Sequence, residues 1–268
     1  MKNPAFSGQV VWITGASRGI GAALAHAFAA QGARLILSAP PAEEAILQEV
    51  LRGCPCPEQH LSMPFDLGDP SSIDAAFAEV ASKVTRIHVL VNNAGITHRG
   101  MILDTAMSVH RRVMEVNYFG TIDLTQRVVR HMVQSGGGKV VMLSSILGLM
   151  ATPQRSAYVA AKHALTGYIE ALRAETTGQG IQILAVFPGF VKTDIAFHAL
   201  TANGQQHGVR DAGQQGAMSP ETLAGRILVS LAANESRLMA GGKELLLPLA
   251  YRLSPALHAW IVRRVKVT

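Results

Sequence analysis

The chain of 268 residues is 49% apolar and has no Ser/Pro-rich linker, internal repeat or charge block that would divide it. We therefore expect one domain over residues 1–268. Its net charge of +6 is spread along the chain and only 5% of its residues are aromatic, which argues against a nucleic-acid partner.

The N-terminus lacks the apolar core of a signal peptide, and no stretch reaches the apolar length that a membrane-spanning helix needs. Cys54 and Cys56 are too few for a zinc site, and a disulfide across one residue would be strained. We therefore predict two reduced surface thiols, which fit a cytoplasmic protein.

Short β-rich runs alternate with longer helical patterns, which predicts parallel βαβ units. The predicted strands are Val10–Thr14, Arg34–Ser38, His60–Asp66, His88–Asn92, Lys139–Ser144, Gln182–Phe187 and Glu244–Pro248. The predicted helices are Gly19–Gln31, Ala42–Arg52, Ser71–Thr85, Asp104–Ser135, Tyr158–Gly178 and Pro220–Asn234. Near-continuous hydrophobicity is typical of strands that helices cover on both faces. The order predicts a doubly wound sheet whose ligands bind beyond the carboxyl ends of the strands.

A glycine-rich turn follows the first strand and opens the first helix. Gly15, Gly19 and Gly21 have the spacing Gly-x-x-x-Gly-x-Gly. Glycine lets the backbone approach a pyrophosphate, and a helix N-terminus offers free N–H groups. The turn therefore predicts a dinucleotide site, although tight packing alone would also explain the glycines.

The end of the second strand bears on which dinucleotide binds. An acidic residue there would bond the adenosine ribose and repel a 2′-phosphate, but Ser38-Ala39-Pro40 has no carboxylate. Arg18 lies in the glycine turn, and an arginine fork suits phosphate. We therefore predict NADP(H) in preference to NAD(H), the alternative being that Arg18 is a solvated turn residue. Asp66 is predicted to accept from the adenine amino group, and Asn93 to hold the adjoining ribose.

Tyr158 and Lys162 are four residues apart and share one helical face. A fixed cation there favours the anion of a phenol whose reference pKa is about 10. Such a tyrosine can exchange a proton with an alcohol or carbonyl. With the glycine turn, the pair predicts redox chemistry on a C–O bond. Taken alone, the two could be an exposed helical pair, and Ser145 could be merely one of two strand-end serines beside Ser144.

Four ordered motifs are similar to those of the short-chain dehydrogenase/reductase family. They are Thr14–Gly21, Asn92–Gly95, Ser145 with Tyr158-x-x-x-Lys162, and Pro188-Gly189 followed by Thr193. The resemblance covers essentially the whole chain. It implies an α/β fold, a single doubly wound Rossmann-type domain with a seven-stranded parallel sheet and helices on both faces.

The resemblance also implies roles for individual residues. Tyr158 would be the general acid/base, and Lys162 would lower its pKa and bind the nicotinamide ribose. Ser145 would bond the substrate oxygen, and Asn117 would hold a water that links Lys162 to solvent. The implied cofactor-binding residues are Gly15, Ser17, Arg18, Gly19, Ile20, Gly21, Asp66, Leu67, Asn93, Ala94, Gly95, Tyr158, Lys162, Pro188, Gly189, Val191 and Thr193. No metal site is expected.

Several stretches resemble the dehydrogenase/reductase member 7B branch of that family. They are Ile96–Gly100, Arg112–Gly120, Arg155–Tyr158 and Pro248–Lys266. The chain starts directly at the first strand, so we interpret it as a soluble bacterial relative without the N-terminal membrane segment expected of the animal proteins. Pro40 stands where this branch usually has an arginine, which weakens the expected preference for NADP(H) without reversing it.

Residues 195–219 contain several glycines and no clear apolar period, which is typical of a mobile substrate lid. The predicted pocket-lining residues are Ile195, Phe197, Leu200, Val209, Ile146, Leu147, Leu149 and Met150. Because they are mostly aliphatic, we expect a lipophilic alcohol or carbonyl substrate, although the same side chains could simply pack the lid down.

Residues 249–268 form a tail in which apolar residues recur at helical spacing and basic residues cluster at the end. The pattern predicts a surface helix that contacts either a sister subunit or, peripherally, a membrane. Ala164, Gly167 and Ala171 give the helix of Tyr158 a small-residue face, which permits close helix pairing. We therefore expect a homodimer or homotetramer, although the same face could pack on its own sheet.

The sequence thus predicts an NADP(H)-dependent oxidoreductase that interconverts a lipophilic alcohol and its carbonyl compound. Two alternatives remain at this stage. One is a 3-oxoacyl-carrier-protein reductase, since Asn-Asn-Ala-Gly-Ile-Thr also occurs there. The other is a protein without catalysis, either a cofactor-binding scaffold or a membrane-surface protein.

Overall fold

The computed structural model describes residues 5–209, 216–254 and 256. The strands are β1 Val10–Thr14, β2 Arg34–Ser38, β3 Leu61–Ser62, β4 Val89–Asn92, β5 His98–Arg99, β6 Gly138–Leu143, β7 Ile181–Pro188, β8 Leu200–Thr201 and β9 Arg237–Ala240. The α-helices are α1 Gly19–Ala30, α2 Glu44–Arg52, α3 Pro70–Lys83, α4 Met107–Met114, α5 Thr121–Gln134, α6 Ser156–Glu175, α7 Pro220–Ala232 and α8 Leu246–Leu253.

Seven strands form one parallel sheet in the order β3-β2-β1-β4-β6-β7-β9. Alternate side chains of each strand point to opposite faces. In β1, Val11 and Ile13 join the apolar cluster beneath α1 and α7, while Val10 and Trp12 join the cluster beneath α3, α5 and α6. The predicted seven-stranded parallel sheet with helices on both faces is therefore confirmed.

Side-chain caps explain where two helices begin. The Asp69 carboxylate accepts a hydrogen bond from the Ser71 amide, and the Ser219 hydroxyl accepts one from the Thr222 amide. In both helices the first residue is a proline, whose missing N–H costs nothing there. The sequences Asp69-Pro70-Ser71 and Ser219-Pro220-Glu221 thus mark the two helix starts.

The predicted seventh strand, Glu244–Pro248, is wrong. That segment is a 3₁₀ turn leading into α8, and the edge strand is β9, a few residues earlier. The leucine run resembles a strand, yet Leu246, Leu249 and Leu253 are exposed on the surface of α8. The third strand is also shorter than predicted, since only Leu61–Ser62 of His60–Asp66 pairs with β2.

The predicted lid and tail lie partly outside the described residues. Within 195–209 the chain forms β8, which pairs in parallel with β5 as a separate two-stranded sheet. Residues 210–215, and the tail beyond 254 except 256, are not described, so the roles of the lid and tail stay predictions. The single domain over 1–268 also stays a prediction. In the described part of the chain, no helix is long and apolar enough to cross a membrane.

The two thiols differ from each other in their surroundings. Both cysteines are free, as expected, but only Cys56 is exposed. Cys54 packs in the cluster beneath α1, and burial raises the pKa of its thiol to about 11. The prediction of two surface thiols is therefore wrong for Cys54, because the chain turns inward after α2 and places this residue in the same apolar cluster as Leu51.

Candidate active site

The carboxyl ends of β1 and β4 meet where the strand order reverses, which is the usual ligand position in a doubly wound sheet. The glycine turn leaves β1 at this point. Gly15 has φ +63°, and a Cβ on it would lie 2.7 Å from Ala94 Cα. A Cβ on Gly21 would lie 2.0 Å from the Gly15 carbonyl oxygen. Both positions therefore require glycine if α1 is to start this close to the strand ends.

Thr14 and Asn93 fasten the glycine turn to β4. The Thr14 hydroxyl accepts hydrogen bonds from the Asn93 and Ala94 amides, each at 3.1 Å. The Asn93 side-chain nitrogen donates to the carbonyls of Thr14 and Gly15 at 3.0 and 2.9 Å. The structure thus gives the Asn93 amide nitrogen a role in holding the turn, and its predicted contact with a ribose stays a prediction.

The turn fits the phosphates of a dinucleotide. No side chain caps the N-terminus of α1, so its first N–H groups can bind an anion. The Nε atom of Arg18 is buried and has no hydrogen-bond partner among the described residues. Beside it, a cavity of about 450 Å³ lies between the first two turns of α1, residues 192–194 and the start of α7.

Arg18 also has two partners that the sequence analysis missed. Its Nη2 atom lies 2.9 Å from a Glu43 carboxylate oxygen, and its Nη1 atom lies 2.8 Å from His198 Nε2. Glu43 follows the end of β2 by five residues, and His198 comes from the segment predicted to be the lid. Neither contact follows from local sequence, because both depend on loops that fold back over the turn.

Asp66 follows β3, an edge strand of the sheet, whereas the catalytic group follows β6. It accepts from the Gly68 amide at 2.7 Å and forms an ion pair with Arg112 at 3.0 Å. Leu67 beside it is buried, and its carbonyl oxygen packs closely against Gly120. The predicted contacts of Asp66 and Leu67 with adenine stay predictions.

Ser145, Tyr158 and Lys162 come together at the carboxyl end of β6. The Tyr158 hydroxyl is hydrogen-bonded to Ser145. Lys162 is buried, its ammonium group donates to the Leu143 carbonyl at 2.8 Å, and it lies 5.7 Å from the Tyr158 ring centre. The structure therefore brings the three predicted catalytic side chains together.

The surroundings act on both titratable groups. Burial raises the pKa of Tyr158, while the Arg155 cation and the hydrogen bond with Ser145 act to lower it. Burial lowers the pKa of Lys162 to about 8. Arg155 is a cation beside the tyrosine that the sequence analysis did not assign. Its contact with Tyr158 could have been predicted, because Arg155 comes three residues before Tyr158 at the start of α6.

The two strand-end serines have different neighbours. Ser144 is buried, and its hydroxyl donates to the Lys162 carbonyl at 3.3 Å. Ser145 caps a 3₁₀ turn by accepting from the Leu147 amide at 3.1 Å and also reaches Tyr158. A Cβ on Gly148 would lie 2.5 Å from Ser144 Oγ, so this turn packs tightly against α6. That close approach sets the position of Ser145 relative to the tyrosine.

Asn117 is fully buried in the π-helical segment Glu115–Gly120, which joins α4 to α5. Its side-chain oxygen accepts from the Ile96 amide, and its side-chain nitrogen donates to the Ile96 carbonyl, both at 2.8 Å. The amide therefore clamps the chain just after Gly95. A π segment of this kind is frequent at functional sites. The predicted role of Asn117, to hold a water that links Lys162 to solvent, stays a prediction.

The loop after β7 closes the other side of the site. A Cβ on Gly189 would clash with the Glu244 carboxylate, which accepts from the Phe190 amide at 3.0 Å. Burial acts to raise the pKa of Glu244, but backbone amides that bond its carboxylate lower it overall. Val191 bridges to Met218, just before α7. Glu244, which the sequence analysis placed in a strand, is thus a brace for this loop.

After that loop the chain returns to the glycine turn, where the Thr193 methyl group packs on Gly19. Pro188 ends β7, and Ile20 packs on the apolar cluster beneath α1. The predicted pocket wall is divided: Ile146 and Met150 are buried, whereas Ile195 and Val209 are exposed. Within the described residues, no cluster of His, Cys, Asp and Glu side chains could hold a metal ion.

The doubly wound sheet, the glycine turn and the Ser–Tyr–Lys group define an oxidoreductase that acts on CH–OH groups. The family model "short chain dehydrogenase" matches residues 9–203, and the chain belongs to the short-chain dehydrogenase/reductase family. This family uses NAD(P)(H) in general.

Individual relatives agree with this assignment. Dehydrogenase/reductase SDR family member 7B from Danio rerio is 37% identical over 90% of this chain and 80% of its own length. The Bos taurus protein of the same name is 40% identical over 83% of this chain and 70% of its own length. A crystal structure of a short-chain dehydrogenase from Streptomyces avermitilis is 28% identical, with a TM-score of 0.80 over 96% of both chains. The resemblance to the member 7B branch is therefore confirmed.

Proposed function

We propose that this chain is an NADP(H)-dependent oxidoreductase that interconverts a lipophilic secondary alcohol and its ketone, or a long-chain alcohol and its aldehyde. The observation that carries the proposal is the hydrogen bond between Tyr158 and Ser145 above the buried Lys162 ammonium. The interconversion of an alcohol and a carbonyl compound needs three groups. One hydroxyl exchanges a proton with the substrate oxygen, a second hydroxyl bonds that oxygen, and a nearby cation stabilises the charge that develops.

A nicotinamide held by the glycine turn and the loop after β7 would supply the hydride chemistry at the substrate carbon. In the reducing direction, the Tyr158 hydroxyl gives its proton to the substrate oxygen, and the new O–H bond completes the alcohol. The Ser145 hydroxyl donates a hydrogen bond to the same oxygen as negative charge develops on it. Lys162 places a positive charge near the phenolate that results, 5.7 Å from the ring centre. Asn117 holds the Ile96 backbone through its two hydrogen bonds.

Two features support a lipophilic substrate. Phe190 and Ile195 are exposed on either side of Thr193, next to the loop that would bind nicotinamide. Partly accessible Leu147 and Leu149 lie on the turn that carries Ser145. A screen of NADPH oxidation over long-chain ketones, steroids, retinal and acyl thioesters tests the proposal. Turnover confined to acyl thioesters would instead identify a 3-oxoacyl reductase.

The preference for NADP(H) rests on the donors Ser17 and Arg18 and on the absence of a carboxylate at Ser38–Pro40. Replacing Arg18 with alanine should weaken NADPH binding on the order of tenfold or more, with a smaller effect on NADH, because a charge-assisted bond to phosphate is lost. Fluorescence titration of both cofactors measures the effect. Equal losses for the two cofactors would exclude Arg18 as a phosphate ligand.

We expect the protein to work in the cytoplasm, which the free thiols of Cys54 and Cys56 support. We also expect a homodimer or homotetramer in which α6 pairs with its copy. Gly167 is exposed, and a Cβ on it would meet no atom within 4 Å, whereas Leu165 and Ile169 of the same helix are buried. The small-residue face thus points away from the protein's own sheet, which supports pairing.

Replacing Gly167 with tyrosine should dissociate the oligomer without unfolding the chain, because the bulk enters open space in the subunit. Light scattering after size-exclusion chromatography measures the mass, and thermal melting checks the fold. Gly225 in α7 is the matched control, since a Cβ there also meets no atom within 4 Å. Gly225→Tyr should leave the contact between the α6 helices of two subunits unchanged. If Gly167→Tyr also left the oligomer unchanged, the subunit contact would lie elsewhere.

A further inference from the structure

Glu43 folds back onto the glycine turn. After β2 ends at Ser38, the 3₁₀ turn Pro41–Glu43 reverses the chain and brings this carboxylate to the start of α1. One carboxylate oxygen accepts from the Ser17 hydroxyl at 2.5 Å, and the other lies 2.9 Å from Arg18 Nη2. Ser17 is 5% exposed, so its hydroxyl has little access to other acceptors.

A hydroxyl and a guanidinium that converge on one pair of oxygens form an anion site. The same two donors are those that the proposed function assigns to the phosphate of NADP(H). Carboxylate and phosphate present similar acceptor geometry to an arginine fork. The Glu43 carboxylate and the phosphate therefore need the same donors, and the two acceptors cannot bind these donors at the same time.

We propose that Glu43 occupies the 2′-phosphate subsite and sets the cofactor discrimination of this enzyme. The inference rests on the proposed use of NADP(H). NADP(H) binds only when its phosphate displaces the Glu43 carboxylate from Ser17 and Arg18. NAD(H) binds with Glu43 in place, and the carboxylate accepts a hydrogen bond from the free 2′-hydroxyl.

Charge and exposure make this exchange physically reasonable. A phosphate monoester carries about −1.5 to −2 charge near pH 7, so a carboxylate that stayed within a few Å would repel it. The Glu43 side chain is 30% exposed, so it can leave towards solvent. On the other side of the guanidinium, Arg18 Nη1 lies 2.8 Å from His198 Nε2. Arg18 thus has a second partner that does not depend on Glu43.

Binding measurements test the inference independently of turnover. Dissociation constants of NADPH, NADH, 2′,5′-ADP and 5′-AMP would be measured by calorimetry for the wild type, Glu43→Gln and Glu43→Ala. Glu44→Gln is the matched control, because Glu44 is the next residue and is exposed. Glu43→Gln should bind NADPH and 2′,5′-ADP about tenfold more tightly, while NADH and 5′-AMP bind equally or more weakly. Glu44→Gln should change none of these.

A double variant, Glu43→Gln with Arg18→Ala, shows whether Glu43 and Arg18 act at one site. The gain in NADPH affinity from Glu43→Gln should shrink in the Arg18→Ala background, because the carboxylate and the phosphate then compete only for the Ser17 hydroxyl. An unchanged ratio of NADPH to NADH affinity in Glu43→Gln and Glu43→Ala would overturn the inference. Weaker NADPH binding in both variants would overturn it too, since Glu43 would then help Arg18 to bind phosphate.

The same data separate this inference from the proposed cofactor preference. A wild type that binds NADH more tightly, but shifts towards NADPH in Glu43→Gln, would contradict the preference and support the role of Glu43. A wild type that binds NADPH more tightly, with no shift in either Glu43 variant, would support the preference and overturn the role of Glu43.

Discussion

Replacing Tyr158 with phenylalanine should lower turnover by about 10²- to 10⁴-fold, the usual contribution of a positioned general acid or base. The substitution removes one oxygen and leaves the ring. Because Lys162 bonds the Leu143 carbonyl and not the phenol, its position should persist. NADPH affinity should therefore change little. Steady-state turnover with the best ketone from the screen, together with NADPH titration, measures both quantities.

Tyr168 provides the matched control for this substitution. It lies on α6, ten residues after Tyr158, and burial raises the pKa of its phenol as well. Tyr168→Phe removes the same atom from the same helix and should keep turnover near the wild-type value. If Tyr158→Phe also kept nearly full turnover, another group would have to donate the proton, and the assigned acid/base would be wrong.

The strands of this fold were predictable where burial on both faces dictates the residue pattern. Val10–Thr14 is a run of apolar and β-branched residues, Arg34–Ser38 has three apolar residues at its centre, and the structure has both strands with the predicted bounds. The prediction of the seventh strand was wrong because this burial pattern is weaker at the edge of the sheet. An edge strand is buried less completely, so Arg237–Ala240 is short and mixed, whereas the leucine run after Glu244 belongs to a surface helix.

Site residues were predictable from the sequence where one short segment contains all the residues of a motif. Tyr158 and Lys162 lie one helical turn apart, and the three glycines of the turn lie within seven residues. Partners from distant loops carry no such signal. The chain between Arg18 and Glu43 includes α1 and β2, and that between Arg18 and His198 includes most of the sheet. Their meeting depends on how the loops fold after the sheet forms.

Side-chain roles were also harder to predict than side-chain positions. Asn93 and Asn117 lie at the strand ends and beside the catalytic group, as expected, yet their amide groups bond backbone atoms. An amide has both donors and acceptors, so it can satisfy a buried backbone as well as a ligand. Which of these it does depends on the unpaired backbone groups nearby, and those are known only from the fold.

Replacing Lys162 with alanine should reduce both turnover and cofactor affinity. Turnover should fall by about 10²-fold or more, because the phenolate that forms at Tyr158 loses its nearby cation. NADPH affinity should fall by roughly 10- to 100-fold, the equivalent of one charge-assisted hydrogen bond to the ribose. Titration of NADPH and NADH should show the same loss for both, because the ribose of the nicotinamide is common to them.

Lys139 is the matched control, since its ammonium group also donates to a backbone carbonyl, that of Leu231, at 2.9 Å. Burial lowers the pKa of Lys139 as well, yet it lies at the opposite end of β6 from the site. Lys139→Ala should therefore cost some stability and leave turnover and cofactor affinity unchanged. Thermal melting of both variants separates lost stability from lost chemistry.

The pH dependence of cofactor binding gives a second measurement of Lys162. Burial lowers the pKa of this lysine to about 8, so the ammonium form predominates below that pH and is lost above it. Ribose bonding favours the ammonium form, which moves the transition in the complex upwards. NADPH affinity of the wild type should therefore fall as pH rises through 8 and beyond, and Lys162→Ala should lack that fall. An identical decline in both proteins would show that another group titrates and that Lys162 does not bind the ribose through its charge.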